Sequence, residues 1–343
     1  MSNAREQALP STGEDSGLIW GYAFEPAAPA TELGLAAAEA WLAAPRAPER
    51  DDRRFLWLHF NLAHMGARRW LDRAALTPAF HDALADQVRS TRIERDENAL
   101  VAVLNDVEFH FGYAPSDTST LWVSVDRRLV VTARHAPLRS VDRLRHAVRK
   151  GEAIGSSVEL LERLMRAQAD VLMDIVRNVT REVDRIEDDL LSGRLQLKRA
   201  ALGTQRRLLV RLQRLLAPEP ASLFRLLQHP PTWMAEAEAQ QLREASEEFS
   251  VALQDMAVLQ ERIKLLQEEL GALQNERTAG SLFILTVVTV LALPINILAG
   301  LFGMNVGGVP LAQHPHGFWL VAGVVLVFTL SCAWLVLRRR GDR

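Results

Sequence analysis

Two continuous apolar runs lie near the end of the chain, whereas apolar and polar positions alternate in the segments before them. The first run covers residues 281–302 and the second covers residues 318–337. A helix of about 20 apolar residues is long enough to cross the hydrocarbon core of a bilayer. We therefore predict two C-terminal transmembrane helices, joined by an outer loop over residues 303–317. A buried helical hairpin of a soluble protein is the alternative.

Before these runs, apolar residues recur every three or four positions over long stretches. This spacing is typical of amphipathic helices. It predicts one helix from Ser156 to about Leu191, stopped by Gly193, and a second over residues 194–216 that ends before the proline pair that follows. Together they form a helical region over residues 156–231.

The longest predicted helix begins after Pro231 and continues through the first membrane run. No further proline occurs until Pro294 and no glycine until Gly271, which predicts a stalk helix over residues 232–302, about 105 Å long. Its cytosolic half has apolar residues at nearly heptad spacing, which indicates packing against partner helices. A dimeric coiled coil explains the same spacing equally well. The apolar positions are Leu242, Phe249, Leu253, Met256, Leu259, Ile263, Leu266 and Leu270.

The first part of the chain has short runs of aromatic and β-branched residues, which predict strands. These runs cover residues 18–24, 55–63, 99–105, 106–113, 119–125 and 128–134. Helical patterns over residues 30–44 and 76–88 lie between them. The sequence therefore predicts an α+β cytoplasmic domain with α/β/α layers over residues 17–155. Residues 1–16 are polar and are predicted to be disordered, without a cleavable signal peptide.

The distribution of charge predicts the orientation in the membrane. Residues 278–337 contain no Asp, Glu, Lys or Arg, whereas Arg277 precedes the first span and a basic tail, residues 338–343, follows the second. By the positive-inside rule both termini are cytoplasmic. Residues 1–277 carry 36 basic and 41 acidic side chains, a balance that argues against a nucleic-acid partner and suits a cation. The single cysteine, Cys332, excludes an intrachain disulfide and is assigned to helix packing.

The first span has a polar stripe on one side. On a helical wheel the stripe residues fall within about 100° of one another. They are Asn275, Thr278, Leu282, Thr286, Thr289, Leu293, Asn296 and Gly300. Two helices cannot enclose a water-filled path, so a conducting chain must form an oligomer. Alternatively, the threonines bond to their own helix or to neighbouring helices, and Pro294 only kinks the span.

A Gly-Met-Asn turn at residues 303–305 ends the first span, within the string GLFGMNVGGVP of residues 300–310. Together with the preceding stalk and the basic tail, it resembles the signature of the CorA metal-ion transporter superfamily. The aromatic string after it, HGFWLV, resembles the zinc-associated ZntB branch. Cytoplasmic segments over residues 57–71, 128–135 and 181–191 are also similar to ZntB segments.

The resemblance implies a funnel-shaped homopentamer in the bacterial inner membrane, with the first spans lining a central pore and the Gly-Met-Asn turns at its outer mouth. Asn305 would then form a ring of amide oxygens that binds a cation through its hydrating water. Gly303 allows the tight turn, and Met304 is expected to pack against it rather than to ligate metal.

Below the mouth, Asn296 would form a second polar ring, and Leu282 and Leu293 would form apolar constrictions able to gate by dewetting. Acidic stalk residues such as Glu268, Glu269 and Glu276 could attract cations at the cytosolic end, or could simply be solvated.

The outer loop favours zinc modestly over magnesium. It contains His314 and His316 and no carboxylate, and imidazole is a typical zinc ligand, whereas magnesium favours oxygen ligands. Solvated histidines are the alternative. The resemblance also suggests coupling to the proton gradient, although the spans offer no ionisable relay residue.

No catalytic motif occurs in the sequence, so we predict a protein that is not an enzyme, has no cofactor and carries zinc as cargo. The remaining histidines show no metal-ligand spacing. The rival functions are a magnesium, cobalt or nickel channel on the same scaffold, and a membrane-anchored assembly or sensor protein that conducts nothing.

Overall fold

The computed structural model divides the chain into two compact units, Met1–Leu266 and Gln267–Arg343. It describes residues 16–26, 28–44, 53–86, 90–96, 98–109, 117–192, 199–304 and 315–341. The predicted disordered N-terminus, except for Ser16, lies outside these residues.

The first unit contains a seven-stranded mixed sheet. Its strands are β1 (Leu18–Phe24), β2 (Thr31–Glu32), β3 (Phe55–Asn61), β4 (Arg92–Asp96), β5 (Ala99–Val107), β6 (Thr118–Val125) and β7 (Leu129–Arg134). Their order across the sheet is β2-β1-β3-β7-β6-β5-β4. Only the β3–β7 pair among them is parallel, with Leu58 opposite Val131, and the other neighbours are antiparallel.

Three short helices cover one face of the sheet. They are α1 (Leu35–Ala43), α2 (Met65–Leu71) and α3 (Pro78–Ala85). Phe80 of α3 and Leu71 of α2 are buried in one apolar cluster with Leu58 and Phe60 of β3. Removing these side chains from water is the main favourable contribution to this layer.

Longer helices cover the opposite face. They are α4 (Arg139–Arg149) and α5 (Ser157–Leu191). Trp57 and Val130 of the sheet line a small apolar gap together with Leu144 of α4 and Leu161 of α5. With helices on both faces, the predicted α/β/α layering is confirmed.

Several predicted boundaries in this unit were wrong. β5 is one strand of nine buried residues rather than two strands that divide at Asp106, because both of its faces are covered. The helix predicted from residue 30 begins at Leu35, after the short strand β2. Polar β4 and the short helix α2 had not been predicted. His110 and most of the predicted strand 106–113 beyond Phe109 lie outside the described residues.

The helical region has one helix more than the sequence indicated. Ser156 caps the first turn of α5, accepting the Glu159 N–H at 3.1 Å, and α5 ends at Leu191, within two residues of the predicted stop. α6 (Arg199–Leu216) ends before Pro218, as predicted, but Pro218 itself begins α7 (Pro218–Leu227). A proline in the first helical turn costs little, because that turn has no intrahelical partner for its N–H.

The long helix α8 (Glu236–Phe302) begins four residues later than predicted. Its heptad-like residues from Leu242 to Leu266 are buried within the same chain, and Leu270 is partly buried. Gln260 of α8 donates to Gln213 of α6 at 2.9 Å. The partner helices therefore belong to the same chain, and this apolar series does not require a dimeric coiled coil.

The acidic face of α5 has a specific partner in α8. Arg262 of α8 lies 2.8 Å from Asp184 and also contacts Glu187. The pKa of Arg262 is raised, first by its hydrogen bond to Glu187. All three side chains are about 40–50 % exposed. Such a pair contributes at most about 1 kcal/mol, so it orients the two helices more than it stabilises them.

The second unit contains the end of α8 and helix α9 (Gly317–Gly341). In the described part of the chain, α8 is the one helix long and apolar enough to cross a membrane, with a window of mean hydropathy 2.5 in which no residue is buried. In the described part of α9, the apolar segment Gly317–Ser331 is shorter than a bilayer-spanning helix, so the second span stays a prediction. α9 also includes the start of the predicted basic tail.

Candidate functional site

Three threonines of the polar stripe bond to their own helix. Each side-chain Oγ1 lies 2.9 Å from the backbone carbonyl oxygen four residues earlier, at Thr278, Thr286 and Thr289. A hydroxyl has one proton and two lone pairs, so a hydroxyl whose proton is used in this way presents only acceptor capacity to its surroundings. The structure therefore shows the back-bonding alternative, and the arrangement still suits the solvation of a hydrated cation.

The chain leaves the polar stripe of α8 uncovered, as it does Ile284 and Val288 on the other side of the same segment. Every stripe residue is exposed, and Leu282 and Leu293 are each 58 % exposed. The partly covered positions of the same segment include Val287, Leu291 and Ile295. At about 100° per residue these positions centre on the side opposite the stripe. The stripe is thus available to contact water, lipid or another copy of the chain.

The helix continues through Pro294, near the predicted second polar ring. Proline has no backbone N–H, so it cannot bond the carbonyl of Val290 one turn earlier. That oxygen and the exposed carboxamide of Asn296 lie within two turns of each other. Burying a carboxamide in hydrocarbon without a hydrogen-bond partner costs several kcal/mol. Among the side chains of the span, Asn296 therefore has the greatest need for a polar partner or water.

α8 ends in a tight turn at Gly303. The Gly303 N–H donates to the carbonyl of Ala299 at 2.9 Å, and a Cβ atom at Gly303 would lie 2.9 Å from the same oxygen. A side chain is therefore excluded by contact, which supports the predicted need for glycine. Met304 is 50 % exposed, so the described residues cover only about half of its side chain.

Two of the predicted cation-contacting residues, Asn305 and His314, lie outside the described residues. His316 lies in the turn before α9, and its carbonyl accepts the Leu320 N–H at 3.1 Å. The described ranges contain no group of three or more His, Cys, Asp or Glu side chains placed to hold a metal ion.

Three histidines of the first unit, His59, His64 and His135, have structural contacts. His59 is fully buried and stacks on Trp20 with ring centroids 4.1 Å apart. Its Nδ1 lies 2.7 Å from Thr132 Oγ1, and its Nε2 accepts from Arg134 Nε at 2.8 Å. Burial, and then the charges of Arg134 and Arg145, lower the pKa of His59 well below its ordinary value, so the ring is neutral.

Of the other histidines in this unit, His64 caps helix α2 by accepting the Gly66 N–H at 3.1 Å. The His135 ring lies edge-on to Trp122, with centroids 5.6 Å apart.

Two buried carboxyl groups between β5 and the helices were not found by sequence reasoning. Asp106 accepts from the Ser140 N–H at 3.0 Å and from its hydroxyl, and burial raises the pKa of Asp106 to about 6. Glu219 of α7 accepts the Asn105 N–H at 2.7 Å through Oε1, and burial raises its pKa well above the ordinary value. The position of Glu219 between two prolines, at the start of α7, is the only sequence signal for it.

Glu219 is best satisfied as a neutral acid. Its Oε2 and the Oε1 of neighbouring Gln168 are both buried and have no hydrogen-bond partner in the described structure. Gln168 Nε2 meanwhile donates to the Asn105 carbonyl at 3.1 Å. A proton on Glu219 Oε2 could be donated to Gln168 Oε1, and one bond would then satisfy both acceptors. The protonated acid thereby links α7, α5 and β5.

Glu219→Gln is expected to reduce the loss of stability at rising pH, because glutamine keeps the Asn105 bond and donates to Gln168 without a titratable proton. A folded-state pKa above the unfolded value makes wild-type stability fall as pH rises from about 4.3 through the folded pKa, by up to about 1.4 kcal/mol per pH unit. Thermal unfolding of the full-length protein in detergent, from about pH 5 to 9, measures this decline. Exposed Glu247→Gln is the control, and parallel profiles for wild type and Glu219→Gln would contradict the assignment.

Comparison with known proteins adds to this geometry. Residues 52–339 match the family described as "CorA-like Mg2+ transporter protein". A divalent cation transporter, CmaX of Pseudomonas aeruginosa, is 28% identical over 331 residues, which cover 96% of this chain and 97% of CmaX. A zinc transport protein, ZntB of Yersinia pseudotuberculosis, is 25% identical over 289 residues, which cover 83% of this chain and 87% of ZntB.

A solved structure of full-length CmaX superimposes on the chain with a TM-score of 0.78 and 28% sequence identity. The superposition covers 96% of this chain and 99% of the CmaX chain. The similarity in sequence and in structure therefore includes residues of both units.

Proposed function

The chain belongs to the CorA-like Mg2+ transporter family, and on that premise we propose that it carries zinc across the bacterial inner membrane through the central pore of a homopentamer. The family consists of divalent cation transporters and is not a class of enzymes. The observation that carries the proposal is the polar stripe along one side of α8, whose residues are all exposed. The proposed topology has two spans and both termini in the cytoplasm.

The exposed surface of α8 supports an assembly of several copies. Its membrane-length window has no buried residue, so lipid or other chains must cover it. Before this window, Val251, Val258 and Leu265 recur every seven residues and are 56–64 % exposed. Apolar residues at heptad spacing form a seam between helices. A second copy of α8 is a suitable partner for this seam, and it would bring several polar stripes together.

The stripe offers a hydrated cation a neutral path. Residues 278–337 contain no Asp, Glu, Lys or Arg, so nothing in the span can bind a divalent ion as tightly as a carboxylate would. The acceptor oxygens of Thr286 and Thr289 and the carboxamide of Asn296 can bond the water shell of the ion and release it again. Leu282 and Leu293, exposed in the same stripe, would then narrow the path and exclude water when the pore is closed.

At the outer end, the tight turn at Gly303 brings the chain directly to Asn305. In the proposal, Asn305 amide oxygens from the copies form a ring that contacts the ion through water. His314 and His316 are candidate zinc ligands beside this ring. Coupling to the proton gradient stays a prediction, since residues 278–337 include no carboxylate to carry a proton through the spans.

Zinc is the favoured cargo because the outer loop has two imidazoles and no carboxylate, and because ZntB, a similar protein, is named a zinc transport protein. CmaX is named only a divalent cation transporter, and the family description names magnesium. A magnesium, cobalt or nickel channel is therefore the competing function. A membrane-anchored assembly that conducts nothing is the competitor from another class.

Flux into liposomes containing the purified full-length protein distinguishes these functions. We expect zinc entry that exceeds magnesium entry, measured with a trapped fluorescent indicator for each ion. Protein-free liposomes with the same lipids are the control. Magnesium entry without zinc entry would support the competing channel, and no flux of any divalent cation would support the non-conducting assembly.

A further inference from the structure

A groove follows the edge of the sheet where β4 lies beside α7. β4 is the terminal strand in the order of the described strands. The groove has a volume of about 450 Å³. It is lined by residues 91–95 on one side and by Ser222, Arg225, Leu226 and His229 on the other.

The lining of this groove indicates that it runs along the strand edge rather than over a face of the sheet. Successive side chains of a strand point to opposite faces, so a pocket on one face would contact every second residue. Here five consecutive residues, 91–95, line the same groove. An edge strand also presents backbone N–H and C=O groups that no neighbouring strand has paired.

Helix α7 and the turn after it supply the opposite wall. Ser222, Arg225, Leu226 and His229 are spaced at i, i+3, i+4 and i+7, which places them on one side of a helix. Arg225 and His229 are exposed, while Leu226 is 9 % exposed and forms an apolar base. A strand edge facing a helix across a groove is a geometry in which an extended peptide can add to a sheet.

The two sides of β4 differ in charge. Arg92 and Glu94 pair with Val103 and Val101 of β5, which belong to the apolar cluster under α3. Directly opposite residues of an antiparallel pair share a face, so Arg92 and Glu94 lie on the α3 side. There Arg92 contacts Glu94 at 2.7 Å.

Arg95 pairs with Leu100 and therefore lies on the opposite side, toward α7. The α7 side of the groove is thus lined by the basic groups of Arg95, Arg225 and His229. On the α3 side, the positive charge of Arg92 is balanced by Glu94 and by the nearby charges of Asp82 and Asp86.

We propose that this groove binds an extended acidic peptide of a partner protein, which adds to the edge of β4 as an eighth strand. Its acidic residues would occupy alternate positions, because only every second side chain of an added strand would face Arg95 and Arg225. Five residues of strand span about 17 Å, so two or three acidic residues fit along β4. A second copy of β4 is a poorer occupant, because its sequence Arg-Ile-Glu-Arg-Asp has equal numbers of basic and acidic residues and offers no net negative charge to the basic side of the groove. This inference goes beyond cation transport.

Fluorescence anisotropy of a labelled peptide of alternating Glu and Val, added to the full-length protein in detergent, tests the proposal. We expect saturable binding that weakens with added sodium chloride. A peptide of the same composition with its Glu residues grouped at one end is expected to bind more weakly, by about five-fold or more, because it cannot place carboxylates on one side of a strand.

Variants of the protein test the charged wall. Arg95→Gln and Arg225→Gln are each expected to weaken binding by about three- to five-fold, as for the loss of an exposed ion pair. Arg149→Gln, at the exposed end of α4, is the matched control and is expected to leave binding unchanged. Equal binding by all three variants and the wild type would overturn the proposal.

Backbone methylation of the peptide tests strand addition itself. Successive N–H groups of a strand point to opposite edges, so N-methyl groups at one set of alternate positions block pairing with β4, while those at the other set leave it intact. We expect about a ten-fold difference in affinity between these two peptides. Equal affinities of the two methylated peptides would overturn the proposal. So would displacement of the peptide by inorganic phosphate when sodium chloride at the same ionic strength does not displace it, because this result would indicate a simple anion site.

Discussion

Asn305→Ala is expected to reduce zinc flux at least about a hundred-fold while the oligomer stays intact. In the proposed pore, each copy contributes one carboxamide that accepts hydrogen bonds from the water shell of the ion. A hydrogen bond between neutral groups contributes about 0.5–1.5 kcal/mol. Because every copy loses its carboxamide, the loss of several such bonds at the mouth would raise the barrier by about 3 kcal/mol, which corresponds to about a hundred-fold or more in rate.

The measurement is zinc entry into liposomes, together with the elution volume of the assembly in size-exclusion chromatography. Asn305→Gln is the conservative control, since it keeps a carboxamide one methylene farther from the backbone, and it should retain partial flux. Wild-type flux by an intact Asn305→Ala assembly would show that the turn at Gly303 has a structural role alone.

The double variant Thr286→Val and Thr289→Val is expected to reduce flux by about ten-fold or more. Valine has nearly the shape of threonine but no oxygen, so the substitutions remove two acceptors from the stripe and leave its packing unchanged. Each lost hydrogen bond between neutral groups costs about 0.5–1.5 kcal/mol. Helix stability should hardly change, because the lost back-bonds do not contribute to the backbone ladder.

α9 offers a matched control for this variant. Thr329 donates to the Val325 carbonyl at 2.8 Å, in the same way as the stripe threonines, but it is partly buried on the other helix. Thr329→Val should therefore transport within about two-fold of wild type. Restoring the hydroxyls with serine at residues 286 and 289 should recover flux. If the valine pair and Thr329→Val had the same effect, the acceptor role of the stripe would be wrong.

The structure changes how the stalk contributes to assembly. The apolar series from Leu242 to Leu266 predicted contacts with partner helices, and those helices prove to be α5, α6 and α7 of the same chain. What remains exposed is a second stripe at Val251, Val258 and Leu265. Spacing alone could not separate these two surfaces, because both satisfy a heptad pattern and a sequence does not state which helix covers which side.

The membrane segment illustrates how much of the candidate site could be predicted. Composition identified the apolar length of α8, and helical periodicity identified its polar side. The role of glycine at the end of the helix came from the family resemblance. The sequence could not show that the hydroxyls of Thr286 and Thr289 donate to carbonyls of their own helix, because a threonine can bond either to its own backbone or to a neighbouring helix. The partly covered face opposite the stripe likewise follows from packing and cannot be read from one helix.

The buried carboxyls show the opposite case, in which sequence reasoning had almost no signal. Asp106 lies in a strand and Glu219 begins a helix more than a hundred residues later, yet burial raises the pKa of both groups. Burial of an acid depends on distant elements that cover it, here α4 beside Asp106 and β5 and α5 beside Glu219. The same holds for β4, whose polar sequence resembles a loop until pairing with β5 makes it the sheet edge.

By itself the sequence determined the properties that depend on composition and short-range spacing: apolar lengths, helix periodicity and the charge-free segment. These follow from the bilayer thickness and from helix geometry, which act on consecutive residues. The tertiary structure alone decided which face of each helix is covered, which acids are buried and which of the described strands lies at the edge of the sheet. Such features arise from contacts between residues far apart in the chain, and their free energies depend on the whole packed arrangement.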